Sequence, residues 1–387
     1  MSLRNTSAGT KLNLLIGPVV PVPAPAVVMD ALESVEVATS DTKPGGFSLT
    51  FALPHPAGVT GGPAARKALT QLAGKASGAR VVLTCVMGAV PDVLMDGIVE
   101  TADVQPGEGG VSGTLTLMGR DLTALMDREA SKDTYPGQGA DTIVRTILAR
   151  YARYGVIPLV MPTLASLPGN PVEGAPTQKN ETDLAMIRRL AAEADYVFSL
   201  RPGPVPMVST AYWGPRIDAA LPQPALSVDM GAATNATNLS FELDEPKAAA
   251  VEGEVLEPNT GVSIPVVSGV SLRPPLALYP SLAKPATRRR QTYGAKPGES
   301  VAQSFVRALA QADATADTLK ATGDLDTGAY GRVLRPGRLV GLRGAGFDHD
   351  GLYWVRDVIH KIARGSHTQS FTCARPGLGS TVPLVRV

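Results

Sequence analysis

The sequence predicts an α+β chain that is mostly β, with two short-stranded β-units separated by a compact α/β insert. Three observations carry this reading. Apolar and polar residues alternate over short runs in the first and last thirds of the chain, the period of half-buried strands. Helical periodicity is clearest in the middle, between about 133 and 195. Glycine (40) and proline (33) make up nearly a fifth of the 387 residues, which favours many turns over a helical bundle.

Taken in order, the amino terminus comes first. Lys11 precedes "LNLLIGPVVPVPAPAVV", and Ala24-Pro25-Ala26 has the spacing of a signal-peptidase site. Pro18, Pro21, Pro23 and Pro25 would break the apolar helix a signal peptide needs, so an uncleaved extended segment is expected. No run is suited to span a membrane. "GGFSLTFAL" then alternates Phe47, Leu49, Phe51 and Leu53 against Ser48, Thr50 and Ala52. Strands at 79–87, 93–104 and 113–119 follow, separated by Gly, Pro and Asp, a spacing that suggests a small barrel or sandwich. At "GRDLTALMDRE" the period changes, with Leu122, Leu125 and Met126 on one helical face.

The insert is predicted from two helices and two strands. "ADTIVRTILARYARYG" places Ile143, Val144, Ile147 and Tyr151 on one side and offers Gly155 as a stop. "NETDLAMIRRLAAEAD" has Thr182 as cap, Asp183 at the positive helix start, and a stripe of Leu184, Ile187, Ala191 and Ala194. "YVFSL" and "PMVSTAYW" read as strands across a Pro-Gly turn. "TNLSFELDE" (237–245) returns to alternation through Leu239, Phe241 and Leu243. The Pro- and Gly-rich tract 246–298 reads as an extended excursion rather than a domain, and a helix is expected over 300–320. Strands around "RLVGL", "LYWVRDVIHKIA" and "HTQSFTCAR" close the second unit. The expected domains are 1–127, 128–224 and 225–387, the last interrupted by the excursion and the helix.

Composition excludes several classes. At 44% apolar the chain can build cores, and a net charge of +1 argues against broad nucleic-acid binding. Cys85 and Cys373 lie far apart in strand-like surroundings and read as two buried thiols, too few for a disulfide framework or a thiolate metal site. His349, His360 and His367 could be imagined as a metal cluster, but intervals of eleven and seven match no usual ligand spacing. Asp348-His349-Asp350-Gly351 places a base beside carboxylates, yet it is also what a turn between strands asks for. No Gly-x-Ser-x-Gly elbow supplies a nucleophile, and no pair of carboxylates stands out. "GEGG" (107–110) and "GAGF" (344–347) lack the strand–loop–helix order of a phosphate cradle. "RRR" (288–290) reads as a solvated stretch of loop, and "PAAR" (63–66) carries no weight as a motif. No catalytic, cofactor-binding or metal residue is assigned.

Four stretches together resemble the phage late-control gene D family, the central baseplate hub of contractile tails, a fold shared with the hub portion of VgrG spikes and with extracellular contractile injection systems. "GTLTLMGRDLTALMDRE" resembles the end of that family's first barrel. "NETDLAMIRRLAAEADYVFSLRPG" resembles its capped helix, aromatic strand and turn. "LRPGRLVGLRG" resembles the entry to a second-barrel strand, and "GLYWVRDVIHKIARGSHTQSFTCARPG" the strand pair that closes it. The resemblance runs over about 30–376, outside the excursion.

It implies two tube-like β-barrels in one chain and a non-enzymatic homotrimer. Such a trimer forms a pseudo-sixfold ring joining a hexameric tail tube to a trimeric spike, beside other baseplate proteins on the wedge and sheath side. The implied location is the baseplate of a virion or injection particle assembled in the bacterial cytoplasm, without a signal peptide, cofactor, membrane insertion or specific nucleic-acid binding. VgrG chains continue into an oligonucleotide-fold domain and a β-helical needle, whereas this sequence stops at Val387, so the spike is expected to be a separate polypeptide. The competing classes are a tail-tip cell-wall hydrolase and a receptor-binding β-protein. Aromatic residues at 5%, with only Trp213 and Trp354 as tryptophans, leave little for a sugar platform.

Overall fold

Alternating apolar residues form strands wherever the sequence announced them, and also in several places where it did not. The computed structural model describes residues 10–382 except 55–61, 88–89, 108–111, 164–179, 217–220, 258–259, 270, 272, 275 and 295–300. Besides a two-residue strand at Val22–Pro23, the described first half contributes six longer strands: β1 (Thr10–Gly17), β2 (Leu32–Ser40), β3 (Gly46–Leu53), β4 (Arg80–Met87), β5 (Val90–Gln105) and β6 (Gly113–Asp121). Their order in the sheet is β2-β3-β6-β5-β4-β1, with every neighbouring pair antiparallel. Leu12, Leu14, Leu49, Phe51, Leu83 and Leu117 point into one core, each at most 2% exposed. Burying side chains of this size stabilises by roughly 1.5–3 kcal/mol each.

The amino-terminal segment is therefore no mere extension. Leu12, Leu14 and Ile16 alternate inward, and Thr10–Gly17 pairs along its whole length with Arg80–Met87. Helix α1 (Gly62–Ala76), which sequence periodicity did not single out, packs Leu69 and Ala76 against the same core.

A three-stranded sheet makes the insert: β7 (Val156–Val160), β8 (Tyr196–Pro202) and β9 (Ser209–Pro215), with β9 central. Helices α2 (Ala140–Ala149) and α3 (Asp183–Glu193) bury Ile143, Val144, Ile147, Leu184 and Ile187 with Trp213 in a second core. Thr182 caps α3 as its sequence asked, its hydroxyl accepting from the Ala185 amide at 3.2 Å. Tyr151 lies just past the end of α2 and donates its hydroxyl to Asp183 at 2.8 Å.

The second half supplies β10 (Gln223–Ser227), β11 (Ala236–Leu243), β15 (Leu319–Asp326), β16 (Leu339–Arg343), β17 (Gly351–Ala363) and β18 (Ser366–Arg375). Between β11 and β15 lie β12 (Ala249–Leu256), β13 (Ser263–Ser268), β14 (Arg289–Thr292) and helix α4 (Val301–Ala316). The excursion at 246–298 thus carries strands that its composition did not announce. The three strands form their own sheet, and Val251, Val255, Val266 and Tyr293 form a small core with Ala308 and Ala312 of α4. The arginine run enters β14, whose Arg289 amide donates to the Ala248 carbonyl, while the side chains of Arg289 and Arg290 face outward. The expected helix over 300–320 ends at Ala316, and Leu319 already belongs to β15. "GEGG" lies largely outside the described residues.

One connection shows why these glycines are there. The loop 344–350 joins β16 to β17, and the buried Arg375 guanidinium donates to the carbonyls of Asp348, Asp350 (2.8 Å) and Gly377 (2.8 Å). Asp350 accepts from the Ala345 amide at 2.8 Å. Gly344 sits at φ +94°, and a Cβ there would overlap the Val228 carbonyl oxygen. Gly344→Ala is therefore expected to cost about 2–3 kcal/mol in urea unfolding. A cost below ~0.5 kcal/mol would contradict this account of the loop.

Candidate assembly interface

The two six-strand sets share one plan. In the second half the sheet order is β11-β15-β18-β17-β16-β10, which matches β2-β3-β6-β5-β4-β1 strand for strand, and the chain visits corresponding strands in the same sequence. Some irregularities recur, although the shift at Leu83/Thr84 between β4 and β5 has no counterpart between β16 and β17. Register shifts at Val99/Thr101 where β5 meets β6, and at Val355/Asp357 where β17 meets β18. It shifts again between Leu32 and Ser34 on β2 and between Thr237 and Ser240 on β11. A bulge breaks the ladder and bends the strand, so matched bulges mean matched curvature. One pair differs: β10 lies parallel to β16, whereas β1 is antiparallel to β4.

The halves are joined by strand pairing. After Trp354 the ladder between β16 and β17 ends, and from Asp357 to Ala363 the vacated side of β17 takes β2 instead, with Asp357 opposite Ser40 and Ala363 opposite Ser34. The joint is apolar on its inner face. Val35, Val37, Val358, His360 and Ile362 are each at most 2% exposed, and Ile362 packs in the first half's core.

Buried polar groups lock this joint and the insert in place. Trp354 Nε1 donates to Asp41 Oδ2 at 3.0 Å, and Arg356 reaches both Asp41 (3.3 Å) and Asp317 (3.2 Å). Burial pushes the Asp41 carboxyl up, and Arg356 and the Trp354 hydrogen bond pull it back. Arg335 reaches from the second half to Asp92 (2.8 Å) and the Val93 carbonyl (2.8 Å). Arg80 grips Asp96 through two hydrogen bonds of 2.7 and 2.6 Å and also donates to the Tyr154 and Met207 carbonyls of the insert. Asp96 too is pushed up by burial and held down by Arg80. None of these pairs was signalled by spacing, and Trp354 and Asp41 lie 313 positions apart.

The residues weighed as reactive are spread through this scaffold. His349 is in the loop before β17, its ring 4.2 Å from that of Phe241. His360 and His367 do meet, Nδ1 to Nε2 at 3.4 Å across β17 and β18, both buried. Burial lowers both, His367 to about 4. Among the described residues no group of three or more His, Cys, Asp or Glu is placed to hold a metal. Cys85 and Cys373 are free and buried, the former thiol pushed up to about 12 by burial. A cavity of about 230 Å³ lies between Trp354, Leu282 and Pro376, and its charged groups, Arg216, Arg273 and Asp317, are paired with one another at 3.5–3.7 Å. No described helix is long and apolar enough to cross a membrane.

Solved structures with the same architecture are known. A tail protein from Neisseria meningitidis MC58 superposes with a TM-score of 0.64 at 13% identity, over 96% of this chain and 98% of its own. This chain has the fold of that tail protein. The 43 kDa tail protein of prophage MuSo2 from Shewanella oneidensis agrees (TM-score 0.63, 12% identity, 95% and 98% covered). So does the E. coli c3393 protein, a component of the type VI secretion system with structural similarity to the T4 tail proteins gp27 and gp5 (0.54, 13%, 92% and 77%). No family model matches the sequence, and no curated protein matches it. The tail-protein fold is thus carried by a sequence only 12–13% identical to these proteins.

Proposed function

We infer that this chain is a structural hub of a contractile tail or injection apparatus. The observation that carries the reading is the duplication: one polypeptide holds two six-strand units of the same order, joined side by side. Three copies around an axis would present six quasi-equivalent units, a ring able to stack on a hexameric tube while its other face keeps threefold symmetry for a trimeric spike. The tail-protein fold of the solved structures supports a place in the baseplate. In this reading the units fall at 1–127, 128–224 and 225–387, with the β12–β14 sheet and α4 set within the third. The role is architectural, not enzymatic. The charged lining of the cavity is taken up in ion pairs, and affinity would come from extended interfaces instead of a pocket.

Co-expression with the neighbouring tube and spike proteins tests this. A purified complex whose mass fits three hubs, a tube hexamer and a spike trimer is the expected result. Release of soluble fragments from peptidoglycan by the isolated chain, with no complex formed, would favour the hydrolase.

A further inference from the structure

Three carboxyls crowd one guanidinium where the insert meets the β12–β14 sheet and α4. Arg273 has Asp317 at 3.5 Å from Nη1, Asp313 at 3.5 Å from Nε and Asp195 at 3.9 Å from Nη2. Asp317 has two further cations, Arg356 at 3.2 Å and Arg216 at 3.7 Å, and the exposed Lys247 acts on it from outside. Arg356 also serves Asp41 at 3.3 Å. Among the described residues, Asp195 and Asp313 have Arg273 alone to offset them. Ionised together, they would leave one charge uncompensated.

The two carboxyls come from different parts of the chain. Asp313 lies on α4 and its side chain is 2% exposed, whereas Asp195 sits between α3 and β8 and belongs to the insert. Helices α3 and α4 touch here, and the two carboxyls hydrogen-bond to each other. Two ionised carboxylates cannot make that bond, because each only accepts. Asp313 Oδ1 is buried with no hydrogen-bond partner among the described residues, and a proton held between the carboxyls would supply a donor there. Burial, then the bond to Asp313, raises Asp195 to about 7, with Arg273 opposing. The Asp195 side chain is 31% exposed, so its proton can exchange with water. Its backbone lies at φ +55°, the left-handed position past a helix end that glycine or asparagine usually fills. An aspartate there carries a local cost, and what it adds is the carboxyl facing α4.

We propose that Asp195 and Asp313 form a proton-operated latch, which seats α4 and its sheet against the insert when one proton is shared and loosens when both carboxyls are ionised. With the proton in place the pair carries one negative charge, matched by Arg273. Without it, two carboxylates in contact repel in a setting that water screens poorly. The latch therefore closes as the pH falls through about 7 and relaxes as it rises. His360 and His367 are held neutral on both sides of this step and do not contribute to it. The cavity beside Trp354 is lined by Arg216, Arg273 and Asp317, so loosening the junction opens Trp354 to small solutes.

Acrylamide quenching of tryptophan fluorescence in the full chain, from roughly pH 5.5 to 8.5, reads the latch through that residue. The quencher is uncharged, and Trp213, fully buried in the insert core, supplies a constant background. In the native chain quenching should rise about two- to three-fold as the junction opens locally. The midpoint is expected near pH 7. Asp195→Asn and Asp313→Asn each replace the shared proton with an amide that donates at every pH, and asparagine tolerates the left-handed backbone at 195. Both variants should hold the low, acid-side value throughout. A flat native profile overturns the latch, and so does a step that survives in either folded variant. Should one variant fail to fold, the other carries the same test.

Discussion

Arg80→Ala will lower the unfolding free energy by about 3–5 kcal/mol and loosen the insert from the first β-unit. Arg80 is 3% exposed and the Asp96 side chain is fully buried, so removing the guanidinium leaves a carboxylate with no countercharge. It also strips donors from the Tyr154, Met207 and Val19 carbonyls, at 2.7, 3.1 and 3.1 Å. Replacing both partners, Arg80→Met with Asp96→Leu, should recover much of the loss, since an apolar pair of similar volume avoids the stranded charge. It will not restore the bonds to Tyr154 and Met207, so the insert should remain easier to cleave by protease than in the native chain. Denaturant unfolding with limited proteolysis checks both parts. A loss below ~1 kcal/mol for Arg80→Ala, the size of a surface pair, would show that this contact does not hold the units together.

The second large effect concerns pH. His367 is held neutral, its folded value lowered to about 4 by burial, with Asp326 opposing, and His360 is lowered by burial, His367 and Arg335. An unfolded histidine takes up its proton near pH 6.5, so between about 6.5 and 4 the unfolded chain binds protons that the folded chain refuses. Stability from this site is therefore intact above pH 6.5 and is lost as the pH falls, by roughly 1.4 kcal/mol per unit, or about 3 kcal/mol by pH 4 for His367. Asp195 acts in the opposite direction. Burial and its neighbour Asp313 raise it to about 7, so its protonation favours the folded state as the pH falls from 7 towards 4. The native pH profile superposes these effects, and the difference between native and His367→Gln isolates one of them. The variant should gain about 3 kcal/mol relative to native between pH 7 and pH 4. Parallel curves would mean that His367 is not kept neutral by the fold.

Much of the scaffold was legible because its strands alternate cleanly. Phe47, Leu49, Phe51 and Leu53 announce β3, and Thr182 announces the start of α3. β2 was hidden by its own bulge. Leu32 and Val35 both face the core three residues apart, which destroys the period of two. β1 alternates well through Leu12, Leu14 and Ile16, but the prolines that follow give the stretch the look of an unpaired extended segment. The tract 246–298 misleads by composition. Proline and glycine punctuate it, yet Val251, Val255 and Val266 gain a core only once α4 lies across them. The interface could not be read at all. Pairing between β2 and β17 links residues more than 300 positions apart, and no local pattern specifies it.

Low-resolution electron microscopy of the isolated oligomer tests the doubling most directly. If one chain carries two interchangeable tube elements, averaged end-on views will show a closed ring with six similar lobes built from three polypeptides, reverting to threefold as detail improves. A ring with as many lobes as chains, or particles of a single chain, would contradict it.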